Sequence, residues 1–211
     1  EILELISDAT RIRLRADVTV GAYLSGGLDS SGISSLIARR FDRRLRTFGI
    51  RFAEAPFDEG SAQSEMAAFL GVEHRELAAE SSLIAAAFPD VVRHCEAPVL
   101  RTAPVPMFLL SGLVREQGIK VVCTGEGADE IFGGYDIFRE ALVRRFVLRR
   151  PSSIRRASLF ERLYPQIFRT PREKASFRQF MTAAPADPAE PLFSHLVRWT
   201  NTARIKEFFS G

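Results

Sequence analysis

The chain has 211 residues, of which 46% are hydrophobic and 26% are charged, a globular composition that is long enough for one sizeable core or for a core and a smaller lobe. No apolar run approaches the length of about 20 residues that crosses a bilayer, and no signal-peptide pattern opens the chain, which argues against a membrane segment. Two cysteines, Cys95 and Cys123, are too few for a disulfide framework and are not spaced as metal ligands, so we expect a reduced, cytoplasmic setting. The first methionine is Met66, and we therefore expect Glu1 to lie inside a longer protein.

The net charge of +3 is unevenly distributed. Residues 141–180 contain eleven Lys or Arg and two acidic residues, a local charge of +9, which leaves the rest of the chain at −6. A nucleic-acid surface is one interpretation of this segment. A solvated face, or a surface that docks another part of the same protein, is the favoured one.

Helical and strand patterns alternate along the first part of the chain. In chain order they predict a helix over 1–15, a strand over 18–24, a helix through 33–41, a strand over 45–52, a helix over 58–71, a strand over 73–78, helices over 81–95 and 107–118, and a strand over 119–125. Strands that alternate with helices of this length require crossover connections. We therefore predict an α/β fold with a parallel sheet that helices cover on both faces.

The strand pattern stops near residue 140. Helical patterns then occupy 136–150, 153–168 and 192–201, with a proline-punctuated loop before the last of them. We predict an α/β domain over 1–140, followed by an incomplete helical region over 141–211.

Two adjacent glycines end the strand over 18–24, in the stretch SGGLDSS at 25–31. Gly26 and Gly27 let backbone N–H groups approach an anion closely, and the helix that begins near Asp29 contributes its positive end. Hydroxyl donors come from three serines, Ser25, Ser30 and Ser31. The stretch therefore predicts a phosphate cradle, with an ordinary capped strand-to-helix turn as the alternative.

Two common phosphate motifs do not match this stretch. A Walker loop needs a lysine, and none occurs between Glu1 and Lys120. The spacing of the paired glycines also differs from the dinucleotide pattern G-x-G-x-x-G.

A second unusual segment, GEGADEIFGG at 125–134, follows the last predicted strand. Its carboxylates would repel a pyrophosphate unless a cation lay between them. Asp29 and Asp129 would both follow strand ends, where they can hold Mg²⁺ against a triphosphate. The alternative for Asp129 is an ordinary acidic first turn of a helix.

At these residues the chain resembles a known family. SGGLDSS resembles the pyrophosphate-binding loop of the ATP pyrophosphatase (PP-loop) superfamily. LRTAPVPMFLLS at 100–111 and TGEGADEIFGGY at 124–135 resemble the synthetase domain of glutamine-dependent asparagine synthetases. The resemblance implies the adenine-nucleotide alpha-hydrolase-like fold. It also implies a reaction in which ATP and aspartate give β-aspartyl-AMP and pyrophosphate, after which ammonia displaces AMP.

The resemblance also implies roles for residues of this chain. The residues expected to cradle the pyrophosphate are Ser25, Gly26, Gly27, Asp29 and Ser30. The backbone of Leu24 and Ile50 would flank the adenine, and Thr124 and Gly125 would lie near the nucleotide. Asp29 and Asp129 would bind Mg²⁺. Glu126 would be the base that deprotonates ammonia, with an indirect role at the metal as its alternative, and Arg101 would steady a phosphate or the substrate carboxylate, with an ordinary surface arginine as its alternative.

The chain departs from complete members of that family. These begin with a glutaminase domain whose N-terminal cysteine releases ammonia from glutamine, and they continue into a further motif near EGRFPFLD and a basic residue that reaches the phosphates. Neither part lies in this chain, so we expect the fragment to bind nucleotide weakly and to be inactive or weakly active. Two alternative functions stay open: a β-lactam-synthetase-like or peptide-cyclising relative with another carboxylate, and a nucleotide-binding scaffold without turnover. A homodimer stays open as the assembly.

Overall fold

The computed structural model describes residues 1–53, 58–165, 167–182 and 187–209. The chain divides into two compact units, Glu1–Gly127 and Ala128–Gly211. The sequence predicts a domain boundary after residue 140, and that boundary stays a prediction. Within the described ranges, no helix is both long enough and apolar enough to cross a membrane.

The first unit contains a four-stranded parallel sheet. Its strands are β1 (Val20–Tyr23), β2 (Arg46–Phe52), β3 (Glu73–Ala79) and β4 (Val121–Cys123), in the order β3-β2-β1-β4. The helices are α1 (Ile2–Arg13), α2 (Leu28–Arg40), α3 (Gly60–Leu70), α4 (Ser81–Cys95) and α5 (Pro104–Glu116). The predicted parallel α/β fold is confirmed.

Apolar side chains cover both faces of this sheet. Ala22 of β1 belongs to a buried cluster with Ile37 and Ala38 of α2, whereas the next residue, Tyr23, packs against a second cluster that contains Leu110 of α5. Successive side chains of a strand point to opposite faces, so α2 and α5 lie on opposite sides of the sheet. The helices cover the two faces of the sheet, so the carboxyl ends of the strands form its open edge, and the loops that follow the strands lie there.

Most predicted elements differ by a few residues in extent, and two of them show the reason. The helix predicted over 107–118 runs from Pro104 to Glu116. A helix can begin at a proline because the N–H that proline lacks would have no hydrogen-bond partner in the first turn. The strand predicted over 119–125 is limited to β4, and Cys123 is half-buried against the cluster that contains Ala22. Burial raises the pKa of the Cys123 thiol, which agrees with a packing role.

The second unit is helical over its described residues. It contains α6 (Ala128–Phe132), α7 (Asp136–Leu148), α8 (Ile154–Ala157), α9 (Pro171–Thr182) and α10 (Phe193–Ala203), with 3₁₀ turns at Ser158–Arg162 and Arg204–Phe208. The predicted helix over 153–168 was too long, since α8 and one 3₁₀ turn are the only helical elements among the described residues of that range. Sequence analysis missed α9, which buries Phe177 and Met181 one turn apart. Pro185 of the predicted loop lies outside the described residues.

Part of the basic segment is internal. Arg144 is 1% exposed, and its Nε and Nη1 donate hydrogen bonds to the carbonyl oxygens of Met181 (2.9 Å) and Phe193 (3.0 Å). Its guanidinium also lies 4.3 Å from the centre of the Phe193 ring. Burial lowers the pKa of Arg144, and the nearby Glu140 carboxylate opposes that shift. Arg144 therefore stabilises the helical core, which corrects the expectation of a wholly solvated or docking face.

Candidate functional site

The first predicted site element lies where β1 ends. The ladder between β1 and β2 continues to Leu24, whose N–H donates to the carbonyl oxygen of Phe48 at 2.8 Å. After Leu24 the chain leaves the sheet and enters α2 through Ser25–Gly27. Ligands of open parallel sheets bind outside the carboxyl ends of the strands, and this loop lies at that edge.

Hydrogen bonds among the serines hold the loop closed. Ser25 N–H donates to Ser30 Oγ at 3.1 Å, and the two hydroxyl oxygens are 2.8 Å apart. Gly27 N–H donates to Ser25 Oγ at 3.2 Å. Ser25 is exposed, whereas Ser30 is buried and also donates to the carbonyl oxygen of Gly27 at 3.3 Å. The buried Ser30 therefore stabilises the conformation of the loop, whereas the hydroxyl group of Ser25 is accessible to a ligand.

Position 26 requires a glycine because of its backbone conformation and because of the atoms that surround it. Its φ of +82° lies in the left-handed region that favours glycine. A Cβ atom at this position would lie 2.7 Å from Cβ of Ala62 and 3.0 Å from the backbone nitrogen of Gln63. Helix α3 thus packs directly against the loop and leaves no room for a side chain.

The first turn of α2 presents backbone amides at the same edge. Gly27 is the N-cap residue and has no side chain to accept a hydrogen bond from the turn. The first amides of a helix have no partner within the helix, and they bind anions readily. Asp29, half-buried, lies in this turn.

The segment after β4 meets this turn. A Cβ atom at Gly125 would lie 2.8 Å from the backbone nitrogen of Ser30 and 3.0 Å from Cβ of Asp29. The structure therefore brings Gly125 into contact with the start of α2. Thr124 Oγ1 accepts a hydrogen bond from Glu126 N–H at 3.3 Å, and Glu126 itself is exposed.

The predicted adenine-flanking residues are also neighbours. The carbonyl oxygen of Leu24 lies 2.9 Å from the position that a Cβ atom would take at Gly49, next to Ile50. Sequence analysis missed Gln63 here, whose Nε2 donates to the carbonyl oxygen of Ile50 at 2.9 Å. A glutamine in an amphipathic helical pattern gives no signal of such a contact, since polar residues are expected throughout that pattern.

Two other predicted residues lie elsewhere in the chain. Asp129 is in the first turn of α6 in the second unit, where its carboxylate contacts Gly134. The N–H groups of Gly133 and Gly134 donate to the Asp129 carbonyl oxygen at 3.0 and 3.1 Å. Arg101 is exposed in the bend that precedes α5. The roles of Asp129 and Arg101 stay predictions.

The residues around Asp29 are compatible with a magnesium ion on a nucleotide. Over the described part of the chain, no three His, Cys, Asp or Glu side chains form a group that could hold a metal by themselves. Mg²⁺ on a nucleotide typically uses only one or two protein carboxylates, because phosphate oxygens and water supply its other ligands. The half-buried Asp29, beside uncapped amides that suit phosphate, meets that requirement.

Comparison with known proteins agrees with this geometry. Residues 1–206 match the family model described as asparagine synthase. The chain belongs to the asparagine synthase family. The resemblance noted in the sequence is thereby confirmed for nearly the whole length of the chain.

Curated members of the asparagine synthase family share substantial sequence with this chain. A putative glutamine-hydrolysing asparagine synthetase of Mycobacterium tuberculosis is 40% identical over 157 residues, which cover 74% of this chain and 24% of the relative. Glutamine-hydrolysing asparagine synthetase 1 of Bacillus subtilis is 35% identical and covers 75% of this chain and 25% of the relative. A Gibberella zeae protein named amidase chry2 is 36% identical and covers 65% of this chain and 23% of the relative. The chain thus spans about a quarter of the length of these relatives.

Proposed function

We propose that this chain is the nucleotide-binding part of an ATP-dependent amide-forming ligase of the asparagine synthetase type. It would activate the side-chain carboxylate of aspartate as β-aspartyl-AMP, release pyrophosphate, and pass the acyl group to ammonia derived from glutamine. The loop Ser25–Gly27 carries the proposal. There Gly26 adopts a left-handed conformation, and the first amides of α2 have no side-chain cap at the open edge of a parallel sheet.

In the first step, an oxygen of the substrate carboxylate attacks the α-phosphorus of ATP. A carbon–oxygen–phosphorus link forms, the bond to the bridging oxygen of the β-phosphate breaks, and the electron pair leaves with pyrophosphate. The amides of the loop and of the first turn of α2 would donate hydrogen bonds to the pyrophosphate and stabilise the negative charge that develops on it. Ser25 would add a hydroxyl donor, and Asp29 would hold Mg²⁺, which when bound neutralises charge on the phosphates.

In the second step, the ammonia nitrogen attacks the acyl carbon and the bond to AMP breaks. The nitrogen must lose a proton, and Glu126 is the proposed acceptor because it is an exposed carboxylate directly after Gly125, which contacts the start of α2. Asp129, as a second metal ligand, and Arg101, on a phosphate or on the substrate carboxylate, complete the proposed set.

A second candidate keeps the adenylation step and changes the carboxylate. The Gibberella relative bears the name of an amidase, at an identity similar to that of the asparagine synthetases. Membership of the family therefore leaves the acid open, and the β-lactam-synthetase-like and peptide-cyclising alternatives belong to this candidate.

The test is pyrophosphate release from ATP by the protein at its natural length. We expect release with aspartate and not with glutamate, whose extra methylene misplaces the carboxylate. Release with a different acid and none with aspartate would favour the second candidate. Nucleotide binding without release under any acid would favour a scaffold and contradict both.

A further inference from the structure

Gln63 is a buried polar residue that the proposed reaction does not use. It is 2% exposed, and its backbone N–H donates to Glu59 in the ordinary helical pattern of α3 (3.0 Å). Its side chain extends from α3 to β2, where Nε2 donates a hydrogen bond to the carbonyl oxygen of Ile50 at 2.9 Å. Its Oε1 is buried without a hydrogen-bond partner and contacts Gly49.

The unpaired oxygen makes a purely structural role a poor explanation. Buried polar atoms are nearly always hydrogen-bonded, and an unpaired acceptor costs stability. A leucine or methionine would fill the same space without an unpaired oxygen, but it would also remove the donor to the Ile50 carbonyl. The amide is therefore explained by what its Nε2 does to Ile50.

The Ile50 carbonyl lies at the open edge of the sheet. The N–H and C=O groups of one strand residue point to the same side, and the side alternates along the strand. The carbonyl of Phe48 accepts from Leu24 on the β1 side, so the groups of Ile50, two residues further, point to that side as well. Leu24 thus continues the β1–β2 hydrogen bonds as far as the Phe48 carbonyl, and Gln63 supplies a donor to the Ile50 carbonyl beyond it.

Gln63 also touches the phosphate loop. A Cβ atom at Gly26 would lie 3.0 Å from the Gln63 backbone nitrogen. The backbone of α3 at Gln63 thus lies beside the loop proposed for the phosphates, and the Gln63 side chain contacts the strand proposed for the base. These two parts of a nucleotide must be held at a fixed separation.

We propose that Gln63 is a positioning residue for the purine base, and that it favours a 6-amino purine over a 6-oxo purine. This inference rests on the proposed function. The Nε2 of Gln63 occupies one lone pair of the Ile50 carbonyl and fixes the peptide, so that the second lone pair is held for the exocyclic amine of adenine. A 6-oxo purine presents an acceptor at that place, and two facing acceptors repel.

The experiment measures the dissociation constants of ATP and ITP for the protein at its natural length. In Gln63→Met, which keeps the volume and removes the donor, we expect ATP to bind about five- to tenfold more weakly, the scale of one lost hydrogen bond, while ITP changes little. Ser64→Ala, the neighbouring exposed position of α3, is the matched control and should leave both constants unchanged.

Gln63→Glu provides a test within one variant, so that differences in stability cancel. A protonated carboxylic acid can donate to Ile50, whereas a carboxylate repels it, and burial raises the pKa of such a group. The ratio of ATP to ITP affinity should therefore fall as the pH rises from about 5 to about 8 in this variant but not in the wild type.

The outcomes separate the two proposals. If both nucleotides weaken equally in Gln63→Met, or if neither changes, Gln63 is structural and the inference fails even though the wild type still binds ATP and releases pyrophosphate. If the wild type binds neither nucleotide, the proposed function fails and the inference fails with it.

Discussion

Gly26→Ala is the sharpest perturbation of the proposed phosphate loop. An alanine in the left-handed region costs about 1–2 kcal/mol, and its Cβ would lie 2.7 Å from Cβ of Ala62, a contact that forces the loop or α3 to move. Overpacking of this kind costs about 1–3 kcal/mol. Moving the loop by a few tenths of an ångström also misplaces amides that would bind phosphate. A charge-assisted hydrogen bond contributes about 1.5–3 kcal/mol, so the loss of one predicts ATP binding weaker by at least about tenfold.

The assay is titration with ATP, together with thermal unfolding of the same samples. Gly32→Ala is the matched control, because Gly32 lies in α2 and a Cβ atom there would meet nothing within 4 Å. An alanine inside a helix should raise stability by about 0.5–1 kcal/mol and leave ATP binding unchanged. Wild-type ATP affinity in folded Gly26→Ala would refute the assignment of this loop to phosphate.

Three further predictions concern the metal and the helical core. Asp29→Asn should weaken ATP binding about tenfold or more in the presence of Mg²⁺ but not in a chelator, and equal losses in both titrations would remove Asp29 from the metal. Glu140, 2% exposed, accepts hydrogen bonds from Arg198 (2.6 and 2.7 Å) and from Tyr164 (2.5 Å). Glu140→Leu should therefore lower the free energy of unfolding by about 2 kcal/mol, below the usual 3–5 because Arg198 is partly exposed and can rehydrate; an unchanged denaturant midpoint would contradict this. Burial and Glu140 raise the pKa of Tyr164 above its usual 10.0, so its stabilising contribution is complete below pH 10 and is lost as the pH rises through the higher folded value. Alkaline unfolding of Tyr164→Phe should lack that loss, and an identical pH profile would count against it.

Local chemistry explains why much of the geometry of the candidate site was predictable. The stretch 25–31 combines paired glycines, serines and a helix start, and each of these acts within a few residues along the chain. Periodicity identified the strands and most helices for the same reason, because alternation of apolar residues is set by backbone geometry. The contact between Gly125 and α2 was partly predictable, since both segments follow strands of one parallel sheet.

Other features depend on residues that are distant in sequence. The partner of Gln63 is Ile50, thirteen positions away, and nothing in the helical pattern of α3 indicates that contact. Arg144 belongs to a basic run, yet the carbonyl groups that hold it come from residues 37 and 49 positions further along the chain. Such partners are set by packing, which local patterns do not encode.

The amino-acid sequence alone determined the parallel α/β class, the family and the glycine- and serine-rich turn that leads into α2, because propensity, periodicity and motif spacing are local properties of the chain. Only the tertiary structure decided that Ala62 leaves no room for a side chain at Gly26, that Ser30 is buried, and that Arg144 of the basic segment lies in a core. Those outcomes depend on which surfaces exclude each other and which polar groups find partners once water is removed, and both are properties of the packed chain.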